Sequence, residues 1–210
     1  MISKSTTKVV ILAAGKGVRM QDERPKALVL LRGKPLISYI IKSARASKLG
    51  EVITVIGHKN RLVQREIKGS TTVIQKLQLG TAHALLAAKP KLKRAKYVMV
   101  LYGDHPFIKP STLKKVFLKH IHSGAKITFC TTKMPNFRAW RKVFFTHGRI
   151  LRKNKEIVAI REFKDASEGE KILTEVNAGG YIFETKWLWK NIKKTMLLAL
   201  NVVQSIIFQH

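Results

Sequence analysis

The chain has 210 residues, 45% of them apolar, and its 41 Lys and Arg against 12 Asp and Glu give a formal net charge of +29. The apolar share is that of a globular protein and excludes a disordered chain, and no apolar run reaches the roughly 18 residues of a membrane-spanning helix. One cysteine, Cys130, excludes an internal disulfide and suits a reducing, cytoplasmic setting.

Apolar runs rich in β-branched residues predict strands at 8–12, 51–56, 71–75, 97–102 and 126–131. Helical patterns fall between them at 35–48, 60–68, 81–88 and 111–121. Pro35 suits a first helical position, and Pro110-Ser111 suits a helix entry. Strands alternating with helices imply right-handed βαβ units, and so an α/β fold with a Rossmann-like, mostly parallel sheet flanked by helices. The character changes after about residue 130. The basic stretch from Phe137 to Ile160 predicts a small antiparallel insertion, about 133–165, with short strands at 142–145 and 156–160 and a turn at His147-Gly148. A strand at 179–184 and a helix through Trp187 and Trp189 follow, the tryptophans serving as core or interface anchors. Internal repeats are absent. One domain is expected over 1–195, with an atypical end over 196–210. The first eight residues lack the apolar core of a signal peptide.

The positive charge is spread along the chain. Its densest run, Lys89 to Lys96, has the place of an exposed connection between a helix and a strand. No aromatic-interleaved basic motif is present, so nucleic acid is not the expected partner despite the charge. Cys130 lies in Ile127-Thr128-Phe129-Cys130-Thr131, which reads as a buried strand rather than a nucleophile's setting.

Three segments concentrate chemistry. The run Val9-Val10-Ile11-Leu12 empties into Ala13-Ala14-Gly15-Lys16-Gly17-Val18-Arg19-Met20, and Pro25-Lys26 follows. A buried strand ending in such a loop presents backbone N–H groups and cations to phosphates. Gly15 and Gly17 permit close approach and positive φ, and Arg19 and Lys26 supply charge to a triphosphate. The spacing is neither the dinucleotide fingerprint nor a P-loop. Residues 75–83 read Gln-Lys-Leu-Gln-Leu-Gly-Thr-Ala-His, where Thr81 could also cap a helix. Residues 101–106 read Leu-Tyr-Gly-Asp-His-Pro, an apolar strand with Asp104 just past its carboxyl end, where α/β enzymes place metal-binding carboxylates. His105 reads as loop.

Together these strings resemble the signatures of the sugar-phosphate nucleotidyltransferases. The nearest branch is the pyrophosphorylase domain of bifunctional N-acetylglucosamine-1-phosphate uridyltransferases, over about 10–185. Val18 stands where that family has Thr or Ser. The resemblance implies the following roles. Leu12, Ala13, Ala14, Gly15, Lys16 and Gly17 with Gln75, Gln78, Gly80 and Thr81 bind the nucleotide. A glutamine amide reads both a donor and an acceptor on the uracil edge. Arg19 and Lys26 clamp phosphates, and Asp104 holds Mg²⁺. Tyr102 and Gly103, with Glu162 of Glu-Phe-Lys-Asp-Ala and Asn177 of Glu-Val-Asn-Ala-Gly-Gly, bind the sugar. The implied reaction is in-line attack of a sugar 1-phosphate on the α-phosphate of UTP, releasing pyrophosphate, with positioning and charge neutralisation as the means.

Departures from the family pattern set the alternatives. Arg141 stands where the family has a glycine against the ligand, so its side chain is expected to fill or crowd the sugar pocket. Arg161 replaces an apolar residue. The stretch after Asn201 lacks the family's second metal-binding Asn, as a truncated or frame-shifted end would, and no acetyl transfer is expected. The other readings are a same-fold enzyme using dTTP or GTP, such as a molybdenum-cofactor guanylyltransferase-like protein, a catalytically impaired nucleotide-binding protein, and a basic RNA-binding protein. The sequence leaves the oligomeric state open.

Overall fold

A computed structural model of the protein describes residues 6–15, 25–57, 60–67 and 69–200. The chain divides into two compact units. One runs to Thr128 and resumes over Gly180–Ile192, and the other takes Phe129–Gly179 and the chain from Lys193.

The first unit is built on strand β1 (Thr7–Ala13), which pairs in parallel with β4 (Glu51–Ile56) on one side and β6 (Tyr97–Tyr102) on the other. Strand β5 (Thr71–Ile74) runs parallel to β4, and the last residues of β10 (Glu175–Glu184) run antiparallel to β6. The order β5-β4-β1-β6-β10 means that the chain leaves β1 toward one edge and returns on the other side. Strand order therefore reverses between β1 and β6, where open parallel sheets bind ligands.

The alternation of side chains along β1 builds both layers. Val9, Ile11 and Ala13 pack with α1 (Leu36–Ser47), α2 (Asn60–Glu66) and α4 (Pro110–Ser123). Val10, Leu12 and Ala14 pack with α3 (Thr81–Ala88) and the start of α6 (Thr185–Leu200). Burial on both faces explains why β1 reads as an unbroken apolar run. Helix α1 buries Ile37, Ile40, Ile41 and Ala44, one stripe at helical spacing. It starts one residue later than expected. Pro35 is extended and closes the two-residue strand β3 (Lys34–Pro35), paired with β2 (Leu30–Leu31) across Arg32 and Gly33, both at positive φ. The Lys89–Lys96 run forms the expected basic connection between α3 and β6, with Leu92 and Ala95 tucked in. Trp189 packs in the second layer with the Lys89 ammonium over its ring, and Trp187 is half-buried.

In the second unit, β8 (Arg149–Lys153) and β9 (Glu156–Arg161) form an antiparallel hairpin, turning through Asn154 and Lys155 at positive φ. Val176 of β10 pairs with Arg149, and a capping box of Ser167 and Glu170 starts α5 (Glu168–Lys171). Asn177, expected in a turn or a site, lies inside β10. Its Oδ1 accepts from the Gly179 N–H at 3.0 Å, where Gly179 and Gly180 both take positive φ. Cys130 lies on β7 (Ile127–Lys133) as expected, but is only partly buried, with burial raising its thiol pKa.

The strand expected at 142–145 is instead part of a 3₁₀ turn, Ala139–Phe144. Arg149 explains the difference. Its guanidinium is 0% exposed and donates to the carbonyls of Phe145 (2.8 Å), His147 (2.6 Å) and Lys171 (3.0 Å). It lies over the rings of Phe137 (4.7 Å), Phe163 (4.9 Å) and Phe145 (5.7 Å). Two of those carbonyls belong to the segment that leaves the turn. They bend around a cation rather than facing a neighbouring strand.

Candidate active site

A cleft of about 740 Å³ opens in the first unit at the carboxyl ends of β1 and β6. Leu12, Ala13, Ala14 and Gly15 line it from β1 and its loop, and Tyr102, Gly103 and Asp104 from the end of β6. Gln75, Gln78, Gly80 and Thr81 come from the segment between β5 and α3, and Lys26 from the start of a 3₁₀ turn. Three motifs far apart in sequence thus meet because three parallel strands end on one edge. Lys16, Gly17, Val18 and Arg19 lie outside the described residues.

Close packing keeps the cleft floor thin. The Gly103 N–H donates to the Leu12 carbonyl at 2.9 Å, extending the β1–β6 ladder, and a Cβ at Gly103 would lie 3.1 Å from Ala13 Cβ. Gly57, unremarked in the sequence reading, does the same after β4: a Cβ there would lie 2.9 Å from the Ala14 carbonyl oxygen and 3.1 Å from Gln78 Nε2. Its sequence signal was a glycine following a strand, the same placement as Gly103. Gly15 is not at positive φ, and a Cβ there would meet nothing within 4 Å among the described residues. Positive φ occurs instead at Gly80 (+92°), the residue before α3. Gly80 rather than Thr81 is the cap residue, and it makes no side-chain capping hydrogen bond.

The polar atoms of the cleft are unequally committed. Gln75 is 3% exposed. Its Nε2 lies 3.2 Å from the Gly80 carbonyl oxygen and 2.9 Å from His83 Nδ1. The Gly80 carbonyl takes one amide hydrogen, and the His83 imidazole faces the same amide nitrogen. Gln78 Oε1 is buried and has no hydrogen-bond partner among the described residues, an orphan acceptor at the same wall.

Asp104 forms an ion pair with Lys26. Burial pushes its carboxyl pKa up, but the hydrogen bond and charge of Lys26 outweigh this, so Asp104 titrates below the ordinary carboxylate value and stays ionised. His105 Nε2 lies 3.8 Å from Asp104 Oδ1, and its ring tilts against Tyr102 at 5.2 Å. Burial holds its pKa below the ordinary value, against the pull of Asp104, which keeps it neutral near pH 7. Among the described residues, no three His, Cys, Asp or Glu side chains gather into a metal cage. A single ionised carboxylate facing a phosphate-sized cleft fits Mg²⁺, which keeps waters and takes substrate phosphates with one or two carboxylates.

Glu162 and Asn177 belong to the second unit. The Glu162 carboxylate makes no hydrogen bond or ion pair among the described residues, and a Cβ on Gly148 would lie 3.5 Å from its Oε1. Arg141 is not free to fill a pocket. Its Nε and Nη2 donate to Asn136 Oδ1 at 3.0 and 2.7 Å, and its guanidinium leans on Trp140 at 5.7 Å. Arg161 pairs with Glu170 at 3.5 Å.

Residues 9–173 match the model of the MobA-like NTP transferase domain, which includes every described cleft residue. The chain belongs to this family. It is a nucleotidyltransferase, and the α/β, mostly parallel architecture expected from the sequence is the one found. The chain is also 39% identical over 188 residues to the bifunctional protein GlmU of Thermosipho africanus, covering 89% of this chain and 39% of that protein. It is 40% identical over 187 residues to the bifunctional protein GlmU of Pelotomaculum thermopropionicum, covering 88% and 39%. The chain thus spans about two-fifths of the length of the curated relatives it matches. No helix among the described residues is long and apolar enough to cross a membrane.

Proposed function

We propose that the chain is a cytoplasmic uridylyltransferase that joins UTP and a sugar 1-phosphate into a UDP-sugar and releases pyrophosphate, with N-acetylglucosamine 1-phosphate as the acceptor. The observation that carries this reading is the convergence of the Gly15 loop, the Gln75–Thr81 segment and Tyr102-Gly103-Asp104 on one cleft. The base lies against Gln75, Gln78 and Gly80. The phosphates extend toward the β1 loop, where Lys26, with Lys16 and Arg19, neutralises their charge. Asp104 holds Mg²⁺ together with those phosphates. The ion supplies charge neutralisation and orientation of the phosphates. Lys26 exchanges its Asp104 partner for phosphate when nucleotide binds, and the start of α3 adds backbone donors. Glu162, whose carboxylate has no partner among the described residues, and Asn177 bind the sugar hydroxyls and acetamido group.

The test is Mg²⁺-dependent pyrophosphate release from UTP and N-acetylglucosamine 1-phosphate, with UTP alone and glucose 1-phosphate as controls. Release with the amino sugar alone supports reaction and acceptor together. Release with glucose 1-phosphate instead keeps the reaction and changes the acceptor. UTP binding without release favours the impaired nucleotide-binding reading.

A further inference from the structure

His83 does not line the cleft, yet it fixes which atom of Gln75 the cleft receives. Gln75 follows β5 directly, and its backbone N–H is held by the Ile56 carbonyl at 2.7 Å, so the side chain starts from a rigid point. Its amide stands between two groups of different chemistry. The Gly80 carbonyl can only accept, so the amide atom 3.2 Å from it is the NH₂. The second amide hydrogen then meets His83 Nδ1 at 2.9 Å, and Nδ1 must accept, which puts the imidazole proton on Nε2. With both hydrogens used, Oε1 is the one polar atom of Gln75 left for a ligand.

We infer that His83 is a positioning residue that locks the Gln75 amide carbonyl-outward, and so selects nucleobases whose ring nitrogen carries a hydrogen between polar groups. Uracil qualifies, with N3–H between two carbonyls. Cytosine presents a bare N3, and an acceptor then faces an acceptor. The inference rests on the proposed placement of the base against the Gln75–Gly80 segment. A flipped amide would lose both its contacts and set Oε1 against the Gly80 carbonyl, and of the two restraints the His83 contact is the shorter. Removing it leaves the Gly80 contact as the remaining restraint, so flipping the amide to face a cytosine N3 costs one contact rather than two.

The experiment measures UTP and CTP dissociation constants calorimetrically, with Mg²⁺, at about pH 8, where an ordinary imidazole is neutral. His83→Leu removes the acceptor, and His83→Asn restores one from a side-chain carbonyl. The wild type is expected to prefer UTP. In His83→Leu the UTP-over-CTP ratio should fall about fivefold to tenfold, the worth of one hydrogen bond. In His83→Asn it should stay within about twofold of wild type. An unchanged ratio in His83→Leu overturns the inference and leaves the nucleotide reading standing. No UTP binding by the wild type overturns both. A second measurement needs no variant to fold: ¹⁵N spectra of histidine-labelled wild type assign the His83 tautomer. A proton on Nε2 supports the lock, and a proton on Nδ1 overturns it.

Discussion

Replacing Arg149 should destabilise the second unit by an amount that depends on shape more than charge. Three of its donors reach part-buried carbonyls at 2.6–3.0 Å, and three phenylalanine rings lie against it. Hydrogen bonds from a charged donor contribute about 1.5–3 kcal/mol each, and desolvated ring contacts about 1–2 kcal/mol more. Against this stands the desolvation of a guanidinium with no carboxylate beside it among the described residues, several kcal/mol, seen also as a burial-driven fall in its pKa. Arg149→Met removes that penalty and keeps most of the volume. It leaves three carbonyls unpaired at about 1–3 kcal/mol each, for a net loss of about 3 kcal/mol. Arg149→Lys keeps the penalty, and a compact ammonium cannot span three carbonyls or stack on the rings, so its loss should be larger, about 4 kcal/mol. Hydrogen exchange over 145–177 with increasing urea reads this locally. On the proposed sugar-binding role of Glu162, which Phe163 adjoins, both variants should also raise KM for the sugar phosphate while UTP binding holds. Arg149→Lys at least as stable as Arg149→Met, or either within about 0.5 kcal/mol of wild type, would refute the argument.

Asp104→Asn should cost roughly a hundredfold or more in kcat and under about 1 kcal/mol in stability, because its Lys26 partner is half in solvent; pyrophosphate release and a urea melt check the two halves separately. Gly50→Ala should destabilise the first unit by about 3 kcal/mol, because its Cβ would lie 1.9 Å from the Thr7 carbonyl oxygen, a backbone atom of β1, and a thermal melt of the variant tests it. His120 is buried, with Nδ1 on Thr128 Oγ1 at 2.8 Å and Nε2 without a partner among the described residues, and burial lowers its pKa against the pull of Glu184. The unfolded state therefore takes up the proton first, so the stability that this neutral histidine permits is complete above about pH 6.5 and is lost as pH falls below it. His120→Gln should flatten the melting-temperature profile between about pH 5 and 7.5, and an unchanged profile would place the titration elsewhere.

What the sequence made legible follows from what each element asks of its neighbours. The parallel strands ask only for burial on both faces, so 51–56 and 97–102 could be read off as β-branched runs, and the residues just past them as an edge of the cleft. The Ala139–Phe144 turn could not be read this way. Val143, Phe144 and Phe145 have strand propensity, and what overrides it is a cation five residues downstream that takes two of the carbonyls nearby. Arg149 itself gave no sign, because one arginine among 41 basic residues reads as surface. The same limit applies inside the site. The glutamine at 75 was visible, but not which of its atoms the fold consumes, since that depends on a carbonyl five residues on and an imidazole eight residues on, brought close only when Gly80 turns through positive φ. Residue types mark where a ligand is met. Which atoms remain to meet it is decided by the hydrogen bonds the fold has already made.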